Sequence, residues 1–252
     1  MSMSAQQVGW ADVRDSHDRY LREMNCQVVH ASLHARDGWA RHYVLREGER
    51  AVGHGALLVE GPWAGTRTVF EFFVAREWRP RALAHLEALL MASDATHVQA
   101  QTNDTLLVAM LHTWVREMSS EKLLFGDGGA MQLPGNGALF RRAEQRDAAR
   151  LFPHEVEPVG EYVLECAGEI AATGGVMYHY NPPYGDVFME VAPKFRRRRL
   201  GAYLVQELMR VCREAGKVPC ARCDPQNEAS RQACLRAGFR PVGAIVSGRI
   251  GG

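Results

Sequence analysis

The stretch "KFRRRRLGAYLV", residues 194–205, places four consecutive arginines directly before an apolar run that contains a glycine. Apolar residues continue at helical spacing from Leu200 to about Glu214, which predicts a helix that begins immediately after the arginines. The first N–H groups of a helix have no partner within it and carry the positive end of its dipole, so they attract anions. From this stretch alone, an anion-binding turn and a solvated helix start are equally open.

The residues on both sides of this turn predict alternating strands and helices. "VFMEV" (187–191) has the composition of a strand, and Pro193 ends it. The glycine in "AGK" (215–217) closes the helix. Three more elements then follow: a strand "VPCARC" (218–223), a helix "NEASRQACLRAG" (227–238) and a strand or hairpin "FRPVGAIVSGRI" (239–250).

Length and composition exclude several classes of protein. The chain has 252 residues, of which 46% are apolar and 23% charged, as in ordinary globular proteins. A formal net charge of +1 gives no field that favours nucleic acid or a membrane surface, so we expect neither partner. The N-terminus has no signal-peptide pattern, and the six cysteines are scattered. We therefore expect a cytoplasmic, reduced protein.

The first half of the chain repeats the order of the second. "VFEFFVAREWRPRALAHL" (69–86) and "VFMEVAPKFRRRRLGAYL" (187–204) both run from a strand through valine-alanine, an aromatic residue and arginines into a helix. We interpret them as two diverged copies of one unit. "LPGNG" (133–137) is the stretch richest in glycine and proline, so it predicts domains at 1–136 and 137–252. A new strand and helix are expected in 138–152.

The ordered pair of motifs resembles the Gcn5-related N-acetyltransferase (GNAT) family. That family carries Q/R-x-x-G-x-G/A at a helix start, after a valine-x-proline strand end, and later an asparagine followed by glycine-phenylalanine. The resemblance covers roughly residues 138–250. The matching residues are Val191, Pro193, Arg196, Gly201, Asn227, Gly238 and Phe239.

The resemblance implies an α/β (α+β) fold of two GNAT-like units, each a mixed, mostly antiparallel sheet flanked by helices. It implies acetyl-CoA as cosubstrate, no metal, and direct attack by an amine in a ternary complex. The strand ending at Val191 would separate from its neighbour and bind pantetheine, and backbone N–H groups after it would hold the diphosphate. The cofactor-binding residues so implied are Met189, Val191, Arg196, Arg197, Arg198, Arg199, Leu200, Gly201, Ala202, Asn227 and Ser230.

Two positions depart from the family pattern. Arg199 stands where the family has the middle glycine of its loop, and Cys234 stands where many relatives have a tyrosine that protonates the leaving thiolate. The Cys234 thiol is a candidate proton donor, with a small buried core residue as the alternative. For the general base, Glu190 and Asp186 are candidates on one face of their strand, and His179 and Tyr180 are also within reach.

The first copy departs further from the family. "RPRALA" (79–84) keeps Arg79 and Ala84, but Pro80 removes one N–H donor from the turn. We therefore expect a degenerate copy without cofactor that forms one wall of the acceptor pocket. Cys220 and Cys223 have metal-site spacing, but on a strand they project to opposite faces, so we expect no metal there.

These observations lead to one expected function and two alternatives. The expectation is an N-acetyltransferase that acts on the amine of a small molecule, as a monomer or homodimer. The first alternative is a non-catalytic module that binds or senses acyl-CoA, which the two departures from the family pattern keep open. The second is a dimerisation scaffold in which both copies are degenerate.

Overall fold

A computed structural model describes residues 2–251. The chain divides into two compact units, the first formed by Met1–Glu121 with Gly243–Gly252 and the second by Lys122–Val242. Each unit is a sheet with helices packed against it. None of the helices within residues 2–251 combines the length and apolar composition needed to cross a bilayer.

The elements follow one another in a similar order in both halves of the chain. The first half contains β1 (Met3–Val8), α1 (Trp10–Met24), β2 (Ala40–Glu47), β3 (Arg50–Leu58), β4 (Thr68–Val74), α2 (Ala82–Ser93), β5 (His97–Gln101), α3 (Thr105–Trp114) and β6 (Val115–Asp127). The second half contains β7 (Leu139–Arg142), β8 (Tyr162–Cys166), β9 (Glu169–Met177), β10 (Tyr184–Val191), α4 (Leu200–Glu214), β11 (Val218–Cys223), α5 (Glu228–Ala237) and β12 (Phe239–Ile250).

The first unit is built on β1 to β5 and part of β12. Strands β1 to β4 pair antiparallel in chain order, and β4 pairs parallel with β5. Residues 245–249 of β12 then pair antiparallel with β5. The apolar faces of α2 and α3 cover this sheet, and Leu57, Phe72 and Leu111 are buried between them.

The second unit has the same succession of pairings. Strands β7 to β10 pair antiparallel, β10 pairs parallel with β11, and residues 123–126 of β6 pair antiparallel with β11. Helix α4 buries Leu204, Leu208 and Met209 against the sheet, in one core cluster with Phe125 and Leu164. The expected class, a mixed and mostly antiparallel sheet flanked by helices, is confirmed.

The compact units do not follow the boundary at 136/137 that the sequence suggested. Residues 133–137 belong to the second unit, because the Leu133 N–H donates to Gln206 Oε1 of α4 at 2.6 Å and Gly135 packs against Tyr203. The chain enters this unit within β6 and returns to the first within β12. The last strand, expected in the second domain, thus completes the sheet of the first.

The helix expected in residues 138–152 is not formed. Strand β7 is present, but only a 3₁₀ turn, Gln145–Asp147, follows it. The buried Asp147 carboxylate accepts the Glu144 N–H at 2.8 Å and is bound by Arg141 at 2.5 and 2.9 Å. The Glu144 N–H bond is one that a helix start also makes, but the Arg141 pair ties this single turn to β7, and no α-helix continues from it. An irregular segment therefore runs from residue 143 to residue 161.

Candidate functional site

The four arginines form a turn of unusual backbone conformation. Arg197 and Arg199 have φ of 65° and 64°, in the left-handed region that favours glycine, and Arg199 is the N-cap of α4. Left-handed residues in a turn direct successive N–H groups toward a common point, which makes an anion-binding concavity. All four arginine side chains are exposed. The turn therefore has three features that attract an anion: peptide N–H groups, the N-terminus of α4 and the positive charge of the arginines.

Gly201 allows α4 to approach β10 closely. A Cβ at this position would lie 3.2 Å from Met189 Cε and 3.3 Å from Val191 Cγ2. On either side of it, Leu200 and Ala202 are buried in the core. The side chains of this first helical turn are therefore used in packing, and the N–H groups remain as the polar groups that it offers.

Strand β10 separates from β11 partway along its length. The parallel pairing joins Tyr184–Asp186 to Val218–Cys220, whereas the pairing with β9 continues to Val191. Residues 187–191 therefore have a β-sheet partner on one side. An extended ligand can hydrogen-bond to the other side as an added strand would. This is the separation that the resemblance implied, and it leads toward the arginine turn.

Side chains of β10 alternate between the two faces of the sheet. Val187, Met189 and Val191 pack toward α4, so Asp186, Phe188 and Glu190 lie on the opposite face. The irregular segment after β7 contacts that opposite face. Its Glu155 N–H donates to Glu190 Oε2 at 3.0 Å, and the centroid of its His154 ring lies 6.2 Å from that of the Phe188 ring.

Asp186 is the last residue of β10 that pairs with β11, so it lies where the two strands separate. Its carboxylate is buried, 3.3 Å from Arg222 Nε and 3.5 Å from His179 Nε2. Burial raises the pKa of Asp186 to about 7, against the opposing effect of Arg222. Such a pKa suits a general base near neutral pH. The sequence did not indicate Arg222, since a single arginine on a strand has no motif.

Glu190 is held by other groups. Besides accepting the Glu155 N–H, it lies 3.7 Å from the Arg196 guanidinium, and Arg196 Nε donates to Val191 O at 3.1 Å. These contacts connect the opposite face of β10 to the arginine turn. Of the two carboxylates predicted as base candidates, Asp186 therefore has the more suitable surroundings.

Cys234 lies in the core cluster of the second unit and is 4% exposed. Burial raises the pKa of its thiol to about 12, so the thiol gives up its proton poorly. Both observations favour the packing role over that of a proton donor.

Asn227 and Gly238 are the two ends of α5. Asn227 Oδ1 accepts the Ser230 N–H at 3.0 Å as the N-cap, and Gly238 ends the helix with φ of 103°. In the first unit Asp104 caps α3 in the same way, accepting the Leu107 N–H at 3.0 Å. The second motif thus has a physical role in helix capping, whatever ligand it also contacts.

Asn227→Ala is expected to lower the free energy of unfolding by about 1 kcal/mol, because it removes the N-cap acceptor. Asn227→Asp keeps the acceptor and is expected to restore nearly all of that stability. Urea unfolding of the three proteins measures the difference. Equal stability of the alanine and aspartate variants would contradict the capping role.

The first unit has the corresponding segment in another conformation. Arg79 Nε donates to Val74 O at 3.0 Å, as Arg196 does to Val191 O. However, residues 76–81 form a 3₁₀ helix that runs directly into α2, and no residue from 75 to 84 has a positive φ. Pro80 also lacks an N–H group. This segment therefore lacks the concave turn that precedes α4.

Comparisons with known proteins agree with this geometry. Residues 133–239 match the model of the Acetyltransferase (GNAT) family. No curated protein shows significant sequence similarity to the chain. An acetyltransferase from the GNAT family from Colwellia psychrerythraea superposes with a TM-score of 0.76 at 13% identity, over 98% of this chain and 100% of its own.

Two further solved structures cover nearly the whole chain. A tandem GNAT protein from the clavulanic acid biosynthesis pathway has a TM-score of 0.57 at 16% identity, over 100% of this chain and 99% of its own. A GCN5-related N-acetyltransferase from Sphaerobacter thermophilus has a TM-score of 0.56 at 13% identity, over 98% of this chain and 95% of its own. These likenesses establish the fold. The chain thus has a GNAT fold, and the family match in residues 133–239 supports an acyltransferase that takes its acyl group from acyl-CoA.

Proposed function

We propose that the second unit transfers an acetyl group from acetyl-CoA to the amine of a small molecule, by direct attack in a ternary complex. One observation carries the proposal: a single strand, β10, leads from its point of separation from β11 into the left-handed arginine turn before α4. Acetyl-CoA is long, with a thioester at one end and a diphosphate near the other. The two features offer backbone groups along such a ligand.

In this proposal the backbone does most of the binding. N–H groups from Arg197 to Ala202 hold the diphosphate, assisted by the dipole of α4. The exposed side chains of Arg197, Arg198 and Arg199 add charge and can bind phosphate oxygens in pairs, and Arg196 adds its charge while it donates to Val191 O. The backbone at Met189 and Val191 holds the pantetheine arm on the side that β11 leaves, and Asn227 and Ser230 lie further along it.

Asp186 is the proposed general base. It lies at the strand separation, where the thioester is expected, and its pKa of about 7 leaves it partly ionised at neutral pH. It accepts the proton of the attacking amine as the C–N bond forms and the C–S bond breaks. Because the Cys234 thiol holds its proton tightly, water protonates the departing thiolate.

We further propose that the first unit is a GNAT-like copy that does not bind acetyl-CoA. Its segment before α2 contains a proline and forms a 3₁₀ helix. The chain would then be a tandem protein with one active copy.

Two measurements on the intact chain separate this function from its alternatives. The first is the release of free thiol from acetyl-CoA in the presence of an amine panel, and the second is thermal stabilisation by CoA. The enzyme is expected to give both. Stabilisation by CoA without thiol release would identify a sensor. If the chain shows neither thiol release nor stabilisation, the dimerisation scaffold is the remaining alternative.

A further inference from the structure

The first unit contains a buried cluster of histidines around one carboxylate, which its GNAT fold does not explain. Glu71 on β4 is contacted by three imidazoles from three other segments. His17 Nδ1 of α1 lies 2.7 Å from Glu71 Oε1, and His54 Nε2 of β3 lies 2.5 Å from the same oxygen. His34 Nε2, in the 3₁₀ helix Ala31–Ala35, lies 3.2 Å from Glu71 Oε2.

The cluster is closed to solvent. The side chains of Glu71, His34 and His54 are at most 1% exposed, and that of His17 is 5% exposed. Aromatic rings surround them, with Trp10 stacked on His34 at 4.7 Å. A buried carboxylate is costly without a compensating positive charge. The ion-pair partners of Glu71 within residues 2–251 are these three histidines, and neither lysine nor arginine is among them.

Further contacts orient the rings. His54 Nδ1 lies 2.8 Å from Ser16 Oγ, and His34 Nδ1 lies 3.0 Å from His42 Nε2. In metal sites, the ring nitrogen that does not bind the ion is held by such a partner, which fixes the orientation of the ligand. For both histidines, the nitrogen that faces Glu71 is thus the one left for a central ion.

We propose that His17, His54 and Glu71, with His34 as the fourth ligand, form a binding site for a divalent transition-metal ion, with Zn²⁺ as the preferred ion. Ligand atoms of His17, His54 and Glu71 all lie within 4.8 Å of one another. Imidazole nitrogens with one carboxylate oxygen are a donor set typical of zinc. Metal–ligand bonds of about 2.0–2.2 Å place tetrahedral ligand atoms roughly 3.3 Å apart. The distances from the Glu71 oxygens to the three imidazoles, 2.5–3.2 Å, therefore widen by less than 1 Å to admit the ion, and His34, which lies outside the 4.8 Å group, moves toward His17 and His54 to complete the set.

The site is structural in character. Four protein ligands fill a tetrahedral zinc and leave no position for substrate, and the burial of the cluster agrees with this. The ligands come from α1, the 3₁₀ helix Ala31–Ala35, β3 and β4, so one ion would join segments that are distant in sequence. This inference does not depend on acetyl transfer, and it departs from the absence of metal expected from the sequence.

The test uses the full chain, with no affinity tag, after chelator treatment and dialysis. Zinc and cobalt are titrated separately, with calorimetry, the Co²⁺ absorption spectrum and the melting temperature as readouts. We expect one Zn²⁺ per chain, a Co²⁺ spectrum of tetrahedral intensity, and a higher melting temperature with metal. A folded chain that gives no heat, no Co²⁺ band and no thermal shift would overturn the proposal and leave a hydrogen-bonded network.

Variants locate the ion. In His17→Gln and His54→Gln an amide can still donate to Glu71, but it is a poor zinc ligand, so we expect at least a hundredfold weaker binding. The matched control is His97→Gln, on β5 outside the cluster, which should bind as wild type does. Binding that survives both cluster substitutions would place the ion elsewhere and contradict the assignment. If a variant fails to fold, the Co²⁺ spectrum of the wild-type chain still decides, because imidazole and carboxylate ligands lack the thiolate charge-transfer bands of a cysteine site.

Discussion

Asp186→Asn is expected to lower kcat/KM for acetyl transfer at least a hundredfold, because removing a general base typically costs 10²–10⁴ in rate. The asparagine has nearly the same shape, and the CoA-binding groups lie further along β10 and in the arginine turn, so CoA affinity should stay within about twofold. The pH profile adds a second signature. Wild-type kcat/KM should rise with pH to a plateau above about pH 7, where Asp186 is ionised, and this rise should disappear in the variant.

Glu190→Gln is the matched control, since Glu190 lies on the same face of β10. It should retain the rise with pH. A wild-type rate and profile in Asp186→Asn would remove Asp186 from the mechanism, and their loss in Glu190→Gln alone would transfer the role to Glu190.

The raised pKa of Asp186 also affects stability. The folded pKa of about 7 lies above the ordinary value of 3.8, so the folded state binds the proton more tightly than the unfolded state does. This contribution to stability is fully present below about pH 4 and is lost as pH rises through 7. Urea unfolding between pH 4 and pH 8 should therefore show a smaller decline for Asp186→Asn than for wild type. An unchanged decline would mean that other groups cause it.

The second large effect concerns the backbone of the arginine turn. Arg199→Gly and Arg199→Val both remove the same charge, but only glycine adopts the left-handed conformation at φ of 64° without strain. A left-handed conformation costs an L-residue about 1–2 kcal/mol, and more for a β-branched one. We expect the glycine variant to bind CoA about tenfold more tightly than the valine variant, which corresponds to about 1.4 kcal/mol.

Calorimetry with CoA measures both affinities, and circular dichroism checks that α4 is retained. If the two variants bind CoA equally well, the conformation of this turn does not matter for binding. If the two variants have the same CoA affinity and that affinity is far below that of wild type, CoA binding depends on the Arg199 side chain rather than on the backbone conformation.

Local patterns in the sequence were sufficient to predict the elements around the site. Helix α4 begins and ends where the apolar spacing placed it, and α5 lies between its predicted asparagine and glycine. These ends depend on neighbouring residues, through capping and side-chain periodicity, so they can be inferred from short stretches. The arginine turn was recognised in the same way, from a motif.

Features that depend on distant residues were not predictable in this way. Strand β12 looks like the end of the second domain, yet it pairs with β5, more than 140 residues earlier. The helix expected after β7 is replaced by a segment that the Arg141–Asp147 pair holds. The histidines around Glu71 are scattered over α1, a 3₁₀ helix and β3, with no motif spacing. Only the folded sheet brings these groups together.

The most direct test of the central claim is a crystal structure of the chain grown with CoA. The account predicts one CoA per chain, with its diphosphate within hydrogen-bonding distance of the N–H groups of Arg197–Ala202 and its pantetheine arm along β10. CoA bound instead at the start of α2, beside Ala84, would contradict the assignment of the active copy. If no CoA is bound at the turn Arg197–Ala202 in crystals grown at saturating CoA, the proposed function itself is contradicted.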